Sequence, residues 1–169
     1  MSSLRVMIFI DGSNIYRASR RYKIGYRPDI QKLQDKLVKG RTLMRTYYYC
    51  SIGNPPRPEQ LKFQEKLKHL HIEVVSKSLK IRGSTHERVE KGVDVALVTD
   101  MLSLAYKNAY EVAILVSGDN DFLQAVDEVK RSGKRVEIAA FDSSIGKELR
   151  DMADDYTSIE QIADEIRLN

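Results

Sequence analysis

The chain lacks any long apolar run and has one cysteine. Its longest uninterrupted hydrophobic stretches, Val6 to Ile10 and Val112 to Val116, are five residues each, far short of the roughly 18 needed to cross a bilayer. No membrane span is expected. The N-terminal MSSLR runs straight into a strand-like segment, without the apolar region and small-residue cleavage site of a secreted protein. Cys50 alone cannot form an internal disulfide and reads as a small buried residue. These absences favour the cytoplasm. His69, His71 and His86 have no partner cysteine and form no helical His pair, which argues against zinc. The sequence holds no Walker loop, no GxGxxG turn and no GxSxG elbow, so P-loop, dinucleotide-binding and α/β-hydrolase chemistry are excluded. Internal repeats and low-complexity segments are absent too.

What is present suits one domain over residues 1–169: with 42% hydrophobic content the chain can bury a full core. Charge is unevenly spread. Residues 1–91 hold 20 Lys+Arg and 8 Asp+Glu, a net of +12, whereas residues 92–169 hold 8 and 16, a net of −8, together the +4 of the chain. Such asymmetry suggests a basic surface for a polyanion beside an acidic region that could hold cations, although two solvated faces would look the same.

Strand-like and helix-like segments alternate. RVMIFI is a continuous apolar run, as expected of a parallel strand buried on both faces. Asp29 reads as an N-cap, followed by Ile30, Leu33 and Leu37 at helical spacing until Gly40. TLMRTYYYC is a second strand; Pro58 opens a helix carrying Leu61, Leu67 and Leu70; IEVVSKSLKI is extended; RGSTHERVEKG reads as a mobile surface loop. Beyond it lie a helix from Val93 to Tyr106, the strand EVAILVSG, a helix from Phe122 to Arg131, the strand RVEIAAF and a helix from Ser143, a possible cap, to Met152. This alternation predicts an α/β domain with a mainly parallel sheet, whose ligands sit beyond the carboxyl ends of the strands where strand order reverses.

Two apolar strands end in acid: IFIDGSN at Asp11 and LVSGDNDF at Asp119 and Asp121. One Asp would cap a following helix. A second so close adds repulsion unless a cation or basic ligand lies between, so capping and a metal site both remain open for this pair. A further carboxylate, Asp94, stands in the first turn of the helix beginning at Val93, where an acid also suits the helix dipole. Should these acids share one pocket, hard oxygen donors without His or Cys suit Mg²⁺ or Mn²⁺. Asp100 stands about 120° around the helix from Asp94 and is assigned a supporting role. Asn120 reads as a cap, and Ser117 as a weak candidate for orienting a water or a carboxylate.

FIDGSNIY, KGVDVALVTDM, LVSGDNDF, GKRVEIAAF and ELRDMAD, in this order and across nearly the whole chain, resemble the NYN-domain family, the LabA-like members of the PIN-like nuclease superfamily. The resemblance implies a three-layer α/β/α, Rossmann-like PIN fold, an acidic site for Mg²⁺ or Mn²⁺, and hydrolysis of RNA phosphodiester bonds. Matched by position, that site falls on Asp11, Asp94, Asp119 and Asp121, with Asn14 as the polar residue beside the first Asp.

After the first motif, YRASRRYKIGYR interleaves Tyr16, Tyr22 and Tyr26 with Arg17, Arg20, Arg21, Lys23 and Arg27. Such a segment can neutralise phosphates and stack on unpaired bases of single-stranded RNA, or it can be a helix whose tyrosines pack inward. KSLKIRGSTHERVEK could form a second basic wall. The leading expectation is a Mg²⁺- or Mn²⁺-dependent ribonuclease. Alternatives are a regulatory RNA-binding protein with a weak or inactive pocket and a metal-dependent phosphatase, whose small substrate would not need the basic arm. A homo-oligomer is left open.

Overall fold

The computed structural model describes residues 3–78 and 87–169, with side chains in the second stretch from residue 92 onward. Six strands, β1 (Arg5–Asp11), β2 (Thr42–Ile52), β3 (Glu73–Ser78), β4 (Val112–Val116), β5 (Arg135–Ala140) and β6 (Asp155–Ser158), form one sheet in the order β3-β2-β1-β4-β5-β6. Every neighbouring pair is parallel. β1 is the pivot: β2 flanks one side and β4 the other, so strand order reverses between β1 and β4. That position is the switch point at which doubly wound sheets bind ligands.

Alternation along the strands sends side chains to two apolar layers. Val6, Ile8 and Ile10 of β1 join Val112, Ile114 and Val116 of β4 beneath α1 (Gly12–Tyr22), α2 (Ile30–Val38) and α3 (Pro58–His69), which contribute Ile15, Leu33 and Leu67. Met7, Phe9 and Leu115 face the other way, under α4 (Glu87–Tyr106) and α5 (Leu123–Arg131), which add Val93, Leu97, Met101, Val126 and Val129. The result is the parallel α/β domain expected from the alternating pattern, in the three-layer α/β/α form that the family resemblance implies. Asp29 caps α2 by accepting from the Lys32 N–H at 3.0 Å, and Pro58 opens α3.

Several boundaries differ from the sequence reading. Glu87–Gly92, read as part of a mobile loop, form the opening turns of α4; residues 79–86 lie outside the described residues. The helix expected from Ser143 is shorter, α6 (Lys147–Met152), because Ser143 turns both its N–H and its hydroxyl to Glu160 instead. A single 3₁₀ turn, Asn120–Phe122, precedes α5. In α3, Leu67 is buried but Leu61 is exposed. The edge strand β6 was not anticipated.

Some of the charge asymmetry is consumed in building the fold. Lys36 pairs with Glu165, Lys39 with Asp155 at 3.1 Å, and Arg41 with Glu137 at 2.7 Å, each joining a basic residue of the first half to an acid of the second.

Candidate active site at the switch point

Asp11 is the last residue of β1 and the N-cap of α1, where its Oδ1 accepts from the Asn14 N–H at 3.1 Å. The pairing of β1 with β4 sets Ile10 beside Val116. The next residues, Asp11 and Ser117, are thereby brought side by side, and the buried Ser117 hydroxyl donates to Asp11 Oδ2 at 3.0 Å. Both continue the alternation of Phe9 and Leu115 toward the α4 layer. Ser117 also accepts from the Asp119 N–H at 3.2 Å, and Asp119 in turn caps the 3₁₀ turn through the Asp121 N–H at 2.9 Å. Asn14 reaches across the switch point to accept from the Gly118 N–H at 3.1 Å.

Asp11 is only 3% exposed. Burial pushes its carboxyl above the usual range, opposed by the hydrogen bonds from Asn14 and Ser117, raised further by the charge of Asp119 and lowered by Arg17. An anion buried without full compensation is costly, and the repulsion from Asp119 favours a cation between them. Asp119 is half-buried and Asp121 exposed. Asp94 is half-buried on α4, next to Val93, which shares an apolar cluster with Phe9 and Phe122. Among the described residues, no three His, Cys, Asp or Glu side chains are grouped to hold one metal ion. Asp119 lies close enough for its charge to act on Asp11.

Gly12 follows Asp11 where α1 meets β2. A Cβ there would lie 2.6 Å from the Tyr48 ring and 2.7 Å from the Tyr49 carbonyl oxygen, so a residue without a side chain is required for the first turn of α1 to sit against the sheet.

Asp100 takes a supporting place: the fully buried Tyr49, level with Asp11 in the β1–β2 register, donates its hydroxyl to Asp100 Oδ2 at 2.8 Å. This bond fastens α4, and with it Asp94, to the sheet, and the Tyr110 hydroxyl on the Met101 carbonyl at 2.6 Å ties α4 to the segment leading into β4. Tyr49→Phe is expected to cost about 1 kcal/mol, a fall in Tm of roughly 2–4 °C for a chain of this size. Thermal unfolding followed by circular dichroism measures it.

The basic arm divides. Tyr26 is 4% exposed and donates to the Ala163 carbonyl at 2.8 Å, and Tyr22 packs on Tyr26 and Phe141 with centroids 5.3 and 5.6 Å away. Tyr26 is therefore a packing residue, whereas Tyr22 packs on the core with one side of its ring and stays 37% exposed. Tyr16 is 58% exposed, with the Arg20 guanidinium 5.6 Å above its ring. Arg17, Arg20, Arg21, Lys23 and Arg27 are exposed. Arg17 is close enough for its charge to act on Asp11. The second basic wall falls largely on residues 79–86, outside the described residues.

A buried carboxylate thus stands at the switch point of an all-parallel α/β/α sheet, within reach of the charge of a second acid, where doubly wound α/β proteins bind their ligands. Residues 5–160 match the model of the NYN domain, and the chain belongs to that family. It is 27% identical over 165 residues to the low amplitude and bright protein LabA of Synechococcus elongatus, an alignment covering 94% of this chain and 85% of that protein. A crystal structure of a protein of unknown function from Vibrio parahaemolyticus superposes with a TM-score of 0.82 at 24% identity, over 98% of this chain and 97% of that one, a likeness in fold. Among the described residues, no helix is long and apolar enough to cross a membrane.

Proposed function

We propose that this chain is a cytoplasmic, metal-dependent ribonuclease that hydrolyses phosphodiester bonds of single-stranded RNA at the crevice between β1 and β4. The observation that carries this reading is the buried Asp11 carboxylate, held by Asn14 and Ser117 and repelled by Asp119. The donor chemistry fits Mg²⁺ or Mn²⁺: Mg²⁺ is commonly bound through one or two carboxylates together with water and substrate phosphate, which matches an Asp11–Asp119 pair without a closed cage. Asp94 and Asp121 would complete the acidic lining once RNA is seated. When bound, the ion would act as a Lewis acid that polarises a phosphoryl oxygen and offsets charge developing on the leaving oxygen.

The protein's own groups set the geometry. Ser117 and the Asn14 N–H fix both oxygens of Asp11, and Asn14 Oδ1 ties the acid loop to α1 through Gly118. Arg17 offers positive charge at the rim, and Tyr16 with Arg20 offers an exposed stacking surface for a base. A regulatory RNA-binding protein is the second reading, favoured by the absence among the described residues of three grouped metal-ligating side chains.

Binding and cutting should fail separately. Replacing Arg17, Arg20 and Arg21 with Ala is expected to weaken RNA binding and flatten its salt dependence, because up to about three fewer counterions are released, while cleavage recovers at saturating RNA. Fluorescence anisotropy across a salt series, run beside single-turnover cleavage, reads both. A salt slope equal to wild type removes α1 from the RNA path.

A further inference from the structure

We propose that Asn120, between the two acids of the loop, is a positioning residue that locks the acid loop to the start of α6 and so fixes Asp119 and Asp121 for metal and substrate. The proposal rests on the nuclease reading and goes beyond it, since Asn120 neither faces Asp11 nor caps the helix that follows it.

The side chain of Asn120 turns away from its own turn and reaches across to α6. Its Oδ1 accepts from the Leu149 N–H at 3.3 Å, and its Nδ2 donates to Glu148 Oε2 at 2.8 Å. The N-cap of α6 is Gly146, which has no side chain with which to cap. Asn120 therefore supplies from the acid loop the acceptor that a helix normally finds in its own N-cap residue. The glycine is required for this: a Cβ at Gly146 would lie 1.9 Å from Asn120 Oδ1. A backbone bond runs in parallel, from the Gly146 N–H to the Gly118 carbonyl at 3.0 Å.

On its opposite side the loop is held by Asn14, which accepts from the Gly118 N–H at 3.1 Å, and below it Phe122 is 1% exposed in the core. The loop is thus clamped between α1 and α6. Carboxylates that must share an ion and a phosphate tolerate errors of only about 0.5 Å, and a clamp on both flanks provides that restraint. The ELRDMAD segment gains a role in this way: Leu149, buried on the α5 side, seats α6, and the turn before it receives Asn120.

The test compares wild type, Asn120→Ala and a control, Met152→Ala, which trims the partly buried apolar face of α6 without touching Asn120. Mn²⁺ affinity is measured by titration calorimetry, amide exchange is followed at Leu149 and Gly146, and single-turnover cleavage is recorded alongside RNA affinity. Asn120→Ala is expected to speed exchange at both amides, to weaken Mn²⁺ binding by about 10-fold, within the range found for residues that orient metal ligands, and to lower the cleavage rate with RNA affinity unchanged. Met152→Ala should leave Mn²⁺ affinity at the wild-type value. If wild type binds Mn²⁺ and cuts RNA but Asn120→Ala binds Mn²⁺ equally well, or Met152→Ala weakens it as much, Asn120 is a structural cap and the proposal is overturned. If wild type neither binds Mn²⁺ nor cuts RNA, the nuclease reading falls, and this role falls with it.

Discussion

Asp11→Asn should lower RNA cleavage by roughly 10²–10³-fold or more, the scale seen when one preorganised electrostatic group is removed from an active site, and should raise the Tm of the metal-free protein. The two effects share one cause. Burial holds the Asp11 carboxyl above its usual range, so the folded state retains this proton to higher pH than the unfolded chain, whose Asp titrates near 3.9. Folding stability is therefore lost as pH rises from that value through the folded one, and the full cost stands above it. Asn carries no such cost. Its Oδ1 can accept from the Asn14 N–H, and its Nδ2 can donate to Ser117 once that hydroxyl rotates. The stability gain should be present at pH 7 in EDTA and shrink toward pH 4, whereas added Mn²⁺ should stabilise wild type by mass action and the variant far less. Calorimetric scans across pH with and without Mn²⁺ check both signs; a variant less stable than wild type at pH 7 would contradict the electrostatic account of Asp11.

Gly12→Ala is the second large effect. The new methyl meets the Tyr49 carbonyl oxygen at 2.7 Å and the Tyr48 ring at 2.6 Å, and the carbonyl belongs to a strand in the middle of the sheet. α1 must then lift from β2, an overpacking cost of about 1–3 kcal/mol. Because α1 begins at this residue, the lift also displaces Asp11 and Asn14, and cleavage should fall along with Tm. Gly92→Ala is the internal contrast: it lies within α4 with nothing within 4 Å of a Cβ. There the same methyl should stabilise by roughly 0.5–1 kcal/mol, the ordinary helix preference of Ala over Gly. Urea unfolding of both variants gives the signs, and a Gly12→Ala protein of wild-type stability would show that the contact is relieved at no cost.

Much of the site was readable because strands buried on both faces write continuous apolar runs. VMIFI and VAILV mark β1 and β4, and an acid directly after each run marks a carboxyl end. The rule for doubly wound sheets directs attention to such strand ends, and the pairing of Ile10 with Val116 shows that these two strands are neighbours. The parts that escaped depend on contacts distant in sequence. β6 is four residues, DYTS, an edge segment too short and polar to show a period. The opening of α4 was read as loop because ERVEKG is polar and ends in glycine. The tyrosines of the basic arm declared their type but not their direction: Tyr26 is buried and packs on Phe141, whereas Tyr16 and Tyr22 stay exposed. Ser117, ranked weakly from sequence, is the residue that joins the two acid-ended strands. Asn120 reads from sequence as a local cap, but its side-chain partners lie 28 and 29 residues away in α6, and no local pattern encodes them.

The central claim is tested most directly by incubating purified wild-type protein with end-labelled single-stranded RNA in Mn²⁺, in Mg²⁺ and in EDTA, beside Asp119→Asn. Asp119→Asn removes the acid whose charge acts on Asp11 while keeping an oxygen to accept the Asp121 N–H. The account predicts metal-dependent cleavage by wild type, none in EDTA, and near-background cleavage by Asp119→Asn with RNA binding retained. Wild type that binds RNA with a clear salt dependence yet cuts no more than Asp119→Asn in either metal would contradict it, and would leave the chain as an RNA-binding member of its family.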